Sequence, residues 1–209
     1  MSVEADQAIF PVPEQQGGII CPNYEFDLAQ LEKEGKAGAG TALIVLSPSD
    51  PVNILLALHN SQDQLKHGKW SFFMETQEDF DRSTLDVLSR LAQEEMQRDL
   101  RSLKLYASPS VKPFQIINNV TRASQYFDGK TYDVGAYVFW TKEDYSGLVR
   151  SPETEELKNL PLDIVLREKI EEGPLREFTA PILTQLNERG LLALPSGPLQ
   201  RVAFPHLIG

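Results

Sequence analysis

The 209-residue chain is 41% apolar and 24% charged with 13 Gly and 14 Pro, which excludes a disordered or collagen-like polypeptide and allows a buried core without disulfide or structural-zinc support. Its single Cys21 cannot form an internal disulfide, and one cysteine with three scattered histidines cannot build a zinc site of four cysteines or of two cysteines and two histidines; this usage fits a cytoplasmic or other reducing intracellular compartment. Twenty basic against thirty acidic side chains leave a net charge of −10, which argues against general nucleic-acid binding and against an anionic membrane surface, but leaves room for a small phosphorylated ligand bridged by a divalent cation.

The N-terminal stretch has early acids and no apolar run, so no signal peptide is expected, and no stretch approaches the roughly 20 apolar residues of a membrane helix. Residues 1–38 read as an irregular extension rich in Pro and Gly, docked through Ile19 and Ile20, with a short helix or wandering segment after Tyr24. Residues 39–209 read as one domain with a helical C-terminal region and an extended tail. Thr41–Ser47 and Val52–Asn60 are strand-like runs around Pro-Ser-Asp-Pro and predict a hairpin; a third strand, Lys69–Phe73, precedes a polar loop over Glu75–Asp81.

Residues 82–105 contain no Gly or Pro and predict the longest helix, with Leu85, Leu88, Leu91, Ala92 and Met96 forming one apolar stripe. Asp86, Arg90, Glu94 and Arg98, four apart, share another face. Strands are expected over Phe114–Val120 and Thr131–Thr141, a charged loop over 142–160, and helices over 162–173 and 175–190. Gly190 suits the end of the last helix, and Pro181 inside it predicts a kink or split.

The stretch from Glu75 to Asp99 holds eight acids against three arginines. Carboxylates crowded at a loop-to-helix junction repel one another unless a hard cation such as Mg²⁺ or Mn²⁺ joins them; the plain alternative is a solvated helix face. The stretch WSFFMETQEDFDRSTLDVLSRLAQEE, set after three strands, resembles the Nudix family, whose box is GX5EX7REUXEEXGU introduced by a phrase of the form WxLPGGxVExGE. Trp70 and Phe72 match that phrase, Phe73, Met74 and Glu75 replace its Pro-Gly-Gly, Glu78 matches a glutamate, and Asp81 replaces the next. With one extra residue before the helix, Arg90 takes the arginine position and Glu94 and Glu95 the paired glutamates; Leu91 stands where the family has a metal-ligand glutamate, and Gln97 where it has glycine.

The resemblance implies an α/β fold, a Nudix-type α/β/α sandwich with a mixed sheet. It also implies hydrolysis of a nucleoside diphosphate-linked or related pyrophosphate, dependent on Mg²⁺ or Mn²⁺. Arg90, Glu94 and Glu95 become the catalytic candidates, and Glu94, Glu95, Asp86 and Glu78 the metal ligands, with Glu94 preferred because it shares a face with Arg90. The charge missing at Leu91 would have to come from another acid: Asp86 one turn before Arg90, Glu75, Glu78 or Asp81 in the loop, or Glu143, Asp144, Glu153, Glu155 or Glu156 after the long strand. The expected partner is a small phosphorylated molecule or nucleotide, with a homodimer as an open assembly. Two other readings stay open, a degenerate ligand- or protein-binding module and a metal-independent enzyme acting on a small metabolite.

The remaining reactive residues point to packing. Alternation along the long strand sends Tyr137 and Phe139 to one face and Val138 and Trp140 to the other, so most aromatics belong in the core, and Trp70 reads as a packing anchor. His59, His67 and His206 show no ligand spacing, Cys21 has no evident base, and no nucleophilic triad is supported.

Overall fold

The computed structural model describes residues 18–121 and 129–204, so the first part of the expected N-terminal extension, and His206 in the tail, lie outside the described residues. The elements run β1 (Ile19–Ile20), α1 (Leu28–Lys33), β2 (Gly38–Ser47), β3 (Asn53–His59), β4 (Trp70–Ser71), β5 (Phe73–Thr76), α2 (Thr84–Met96), β6 (Tyr106–Ala107), β7 (Phe114–Thr121), β8 (Thr131–Trp140), β9 (Gly147–Leu148), β10 (Thr154–Pro161), α3 (Leu162–Leu166), α4 (Thr179–Glu188) and β11 (Gln200–Ala203). Among the described residues the strands form one mixed sheet ordered β1-β11-β6-β8-β2-β3-β10-β9, with β4 against β3, β5 against β2 and β7 against β8. At its centre β2 and β8 are parallel and in register from Gly38↔Tyr132 to Leu46↔Trp140.

Both central strands are buried on both faces, which is why Ala42–Leu46 and Val134–Trp140 read as nearly continuous apolar runs. Alternation divides them between two cores. Leu43, Val45, Tyr137 and Phe139 face α2, whose Leu85, Leu88, Leu91, Ala92 and Met96 fill that side as the leucine stripe requires. Ile44, Leu46, Val138 and Trp140 face the opposite layer, closed by Leu162 and Val165 of α3 and by Ile182, Leu183 and Leu186 of α4. Each large apolar side chain withdrawn from water in this way contributes about 1.5–3 kcal/mol before entropy is subtracted. The expected α/β/α sandwich with a mixed sheet is the observed architecture.

The predicted hairpin is present but opens. Strands β2 and β3 pair only at Leu46↔Ile54 and Ser47↔Asn53 beside their turn. They then splay, and the Trp70–Thr76 segment crosses the gap, pairing with β3 at Ala57 and Leu58 and then with β2 over Gly40–Leu43. This crossing carries the chain under α2, with Phe72 and Met74 in one core and Phe73 in the other.

Several boundaries differ from the sequence reading. The long helix stops at Met96, because Gln97 turns left-handed (φ 55°), and a short 3-10 turn follows at Leu100–Ser102. Residues 142–160 are a loop only in part; Thr154–Pro161 pairs antiparallel with β3. The helix expected over 162–173 is only the five residues of α3. Pro181 makes no kink, since α4 begins at Thr179 and Pro181 falls in the first turn, where a missing N–H forfeits no helical bond. Gly190, at φ 73°, follows the C-cap of α4 as expected. The tail contributes strand β11, and Trp70 is a buried anchor whose indole N–H donates to the Glu172 carbonyl at 3.3 Å.

Candidate metal centre

Three carboxylates, from β5, from α2 and from the loop before β10, converge beneath the end of α2. One oxygen each from Glu75, Glu95 and Glu153 lies within 4.8 Å of the others. Glu75 stands on β5, on the same side as Phe73 and therefore under α2. Its backbone is fixed by Thr41↔Glu75 pairing with β2, and the neighbouring Gly40 makes that approach feasible: a Cβ there would lie 2.9 Å from the Glu75 carbonyl oxygen. Glu153 lies just before β10; its carbonyl accepts from Asn60 N–H at 2.8 Å, and the adjacent Thr154 pairs with His59.

Glu95 is only 1% exposed, and Thr154 Oγ1 donates to its carboxylate at 3.3 Å. Burial, followed by the negative charge of Glu75, pushes its pKa up to about 8; buried Arg176 acts in the opposite direction, and Glu153 raises it further. Three oxygen donors of one charge sign, drawn together at this spacing, form a donor set suited to Mg²⁺ or Mn²⁺, both of which take carboxylate oxygen.

Arg90 organises the neighbouring loop. Its Nη2 donates to the Thr76 carbonyl at 2.7 Å and to Asp81 at 2.8 Å, while Nη1 lies 3.5 Å from Glu75 and 3.4 Å from Glu94. Asp81 in turn accepts from Glu78 N–H at 2.9 Å, and its carbonyl accepts from the Gln77 side chain at 3.0 Å. A turn that lacks the two loop glycines is thus closed by a charged side-chain network, with the guanidinium fork serving several acceptors at once.

The residues singled out by sequence separate into distinct positions. Glu94 and Glu95 diverge as adjacent helical positions must: Glu95 enters the trio as its buried member, whereas the Glu94 side chain is 47% exposed at the rim beside Arg90. The pKa of Glu94 is also raised, by burial first, against the pull of Arg90 and with further elevation from Glu75 and Glu153. Glu78 is more exposed and lies 3.8 Å from Arg90. Asp86 stands at the other end of α2, accepting from Arg82 N–H at 3.0 Å and from Ser83 Oγ at 3.4 Å. Leu91 is completely buried in the α2-facing core.

Two features escaped the sequence. Arg176, between two helices with no motif around it, is buried to 2% exposure with its guanidinium 4.5 Å from the centre of the Phe178 ring, and its charge works against the rise in the Glu95 pKa. His59 Nε2 and Ser71 Oγ lie 2.7 Å apart, 12 residues apart in sequence, and both are buried. Buried on both sides, this pair is a satisfied polar contact in the sheet. Cys21 is likewise buried, and burial raises its thiol pKa strongly, so it holds little thiolate at neutral pH.

No protein-family model and no curated protein matches the sequence. Solved structures do. A MutT/Nudix family protein from Enterococcus faecalis superposes with a TM-score of 0.50 at 10% identity, covering 90% of this chain and 68% of that one. Two further matches fall just below that similarity: RenU, a Nudix hydrolase from M. smegmatis (TM-score 0.49, 15% identity, 77% and 91% covered), and the Nudix domain of Shewanella oneidensis NrtR in complex with ADP ribose (TM-score 0.48, 16% identity, 78% and 99% covered). With the splayed mixed sheet between helical layers and the acidic helix laid across the gap, the chain adopts the Nudix fold.

Proposed function

We propose that this protein is a divalent-metal-dependent hydrolase of a phosphoanhydride, with a nucleoside diphosphate-linked or related pyrophosphate as substrate. The observation that carries the reading is the convergence of Glu75, Glu95 and Glu153, two partly exposed carboxylates closing on the buried Glu95. Glu75 and Glu153 supply the oxygens that make good the charge absent at Leu91.

Mg²⁺ or Mn²⁺ held by these three residues would lower the pKa of a bound water and neutralise charge on the departing phosphate. Arg90 fixes the Thr76–Asp81 loop and so the direction of Glu75. Glu94, outside the trio and half exposed beside Arg90, would take up at its carboxylate the proton released by the attacking water. Thr154 holds Glu95 in orientation.

A panel of pyrophosphate-linked nucleotides and sugars, assayed with Mg²⁺, with Mn²⁺ and with EDTA, tests the proposal. Turnover that needs the metal and falls at least about a hundredfold in Glu95→Gln supports it; phosphate release undiminished in EDTA refutes it. The binding-module reading draws on one observation, the placement of Leu91 in the core where no ligand can be offered. Ligand-induced thermal stabilisation with no phosphate released would favour it instead.

A further inference from the structure

Thr41 on β2 is 1% exposed, and among the described residues its hydroxyl oxygen has no hydrogen-bond partner. A buried hydroxyl left unpaired costs stability that a valine of nearly the same shape would not. The strand register shows what surrounds it. Leu43 and its partner Phe73 face α2, so Thr41 and its partner Glu75, two residues away on each strand, face α2 as well. On that face the neighbours of Thr41 along its own strand are Ala39 and Leu43, and its partner on β8 is Gly135. None of these three has a side chain that can hydrogen-bond. The space over Gly135 is taken, since a Cβ there would lie 2.8 Å from the Phe114 ring and 3.1 Å from the Thr84 methyl group. Glu75 is the fourth neighbour and the polar one, and residues directly opposed on adjacent antiparallel strands hold their Cβ atoms about 4.5–5.5 Å apart.

We infer that Thr41 is a positioning residue for Glu75, its hydroxyl donating to the Glu75 carboxylate when that group turns to hold a divalent ion. This rests on the hydrolase reading above. In the metal-free protein Glu75 lies 3.5 Å from Arg90 Nη1, an ion-pair distance, and its carboxylate is free to pivot about its own side chain. A carboxylate that gives one oxygen to a cation presents the other to a donor, and that outer hydrogen bond fixes the angle of the ligand. The centre already has this arrangement once: Thr154 Oγ1 donates to Glu95 at 3.3 Å. Thr41 supplies the matching hydroxyl on the β5 side, which accounts for a polar side chain kept unpaired in a face that is otherwise Ala39, Leu43 and Gly135.

The test is Mn²⁺ titration of the full chain by calorimetry, with thermal melts in EDTA alongside, for the wild type, E95Q, T41V and T41S. The expected result is Mn²⁺ binding by the wild type that E95Q abolishes, weakened about tenfold in T41V and held within about threefold of wild type in T41S. The metal-free melts should not follow the affinities: T41V melts as high as the wild type or up to about 4 °C higher, because the unpaired hydroxyl is gone. A hydroxyl with no tie to Glu75 would leave Mn²⁺ affinity unchanged in T41V, and a mere packing role would weaken binding only together with a lower metal-free Tm. Either result, or T41S binding as weakly as T41V, overturns this inference, while E95Q-sensitive binding by the wild type leaves the hydrolase reading standing. Wild-type protein that binds no Mn²⁺, or binds it equally well as E95Q, sinks both.

Discussion

Arg90 Nη2 donates to the Asp81 carboxylate across 2.8 Å, and the Asp81 side chain is only 3% exposed. A loop without glycines keeps its shape through this contact. Asp81→Ala should leave the guanidinium without its principal acceptor and release the Glu78 amide, costing about 3 kcal/mol. For a chain of this size that lowers Tm by roughly 6–12 °C. A melting curve within 2 °C or so of wild type would show that the loop holds itself by other means.

Glu95 makes stability depend on pH in the metal-free protein. Its folded pKa of about 8 lies above the ordinary 4.5, so the folded state binds the proton more tightly than the unfolded state. The associated stabilisation is complete below about pH 4.5, declines as pH rises through 8, and is flat beyond. Thermal melts in EDTA should therefore show Tm falling from pH 5 to pH 8, on the order of 5 °C more in wild type than in Glu95→Gln. Parallel pH profiles for the two proteins would contradict this.

Gly40 permits β5 to sit close against β2. A methyl group at this position would be 2.9 Å from the Glu75 carbonyl oxygen, backbone that cannot swing aside. Gly40→Ala should displace β5 and with it Glu75, weakening Mn²⁺ binding about tenfold or more while the two cores persist. Circular dichroism alongside the titration separates displacement from unfolding, and an unaltered Mn²⁺ affinity would show that the strand absorbs the methyl without moving its acid.

Restoring the glutamate of the motif at position 91 should not restore a ligand. Leu91 is wholly enclosed by the α2-facing core, and Leu91→Glu would place a carboxylate among apolar side chains, costing at least about 3 kcal/mol. The expected outcome is a lower denaturation midpoint with no gain in Mn²⁺ affinity. Tighter binding in a stable variant would mean that the side chain reaches the centre after all.

The architecture was legible where burial imposes a period. The continuous apolar runs of β2 and β8, and the stripe from Leu85 to Met96, announced the sheet and the helix across it. Boundaries were less legible because they depend on single backbone choices: the left-handed turn at Gln97 ends a helix that composition alone would extend, and Pro181 is harmless only because of where α4 starts. For the candidate site, the motif offered Arg90, Glu94 and Glu95, with Glu94 preferred; of these only Glu95 lies in the trio, and which acids join it could not be read. Glu75, Glu95 and Glu153 meet through strand crossing and the pairing of β10 with β3, long-range relationships with no local spacing to betray them. Arg176 carried no sequence signal, since an arginine among charged residues looks like any solvated one until the chain brings it beside Trp70.

The early end of α2 has one more effect. Because the chain leaves the helix at Gln97, the last-turn carbonyls, including those of Gln93 and Glu94 that receive the Gln97 amide and, for Glu94, Ser151 Oγ, cluster within a turn of Glu95. That end is the negative pole of the helix macrodipole, worth about half an elementary charge. The helix that ends here thus adds its own negative pole beside Glu95, and a helix one turn longer would carry that pole ~5 Å away from it.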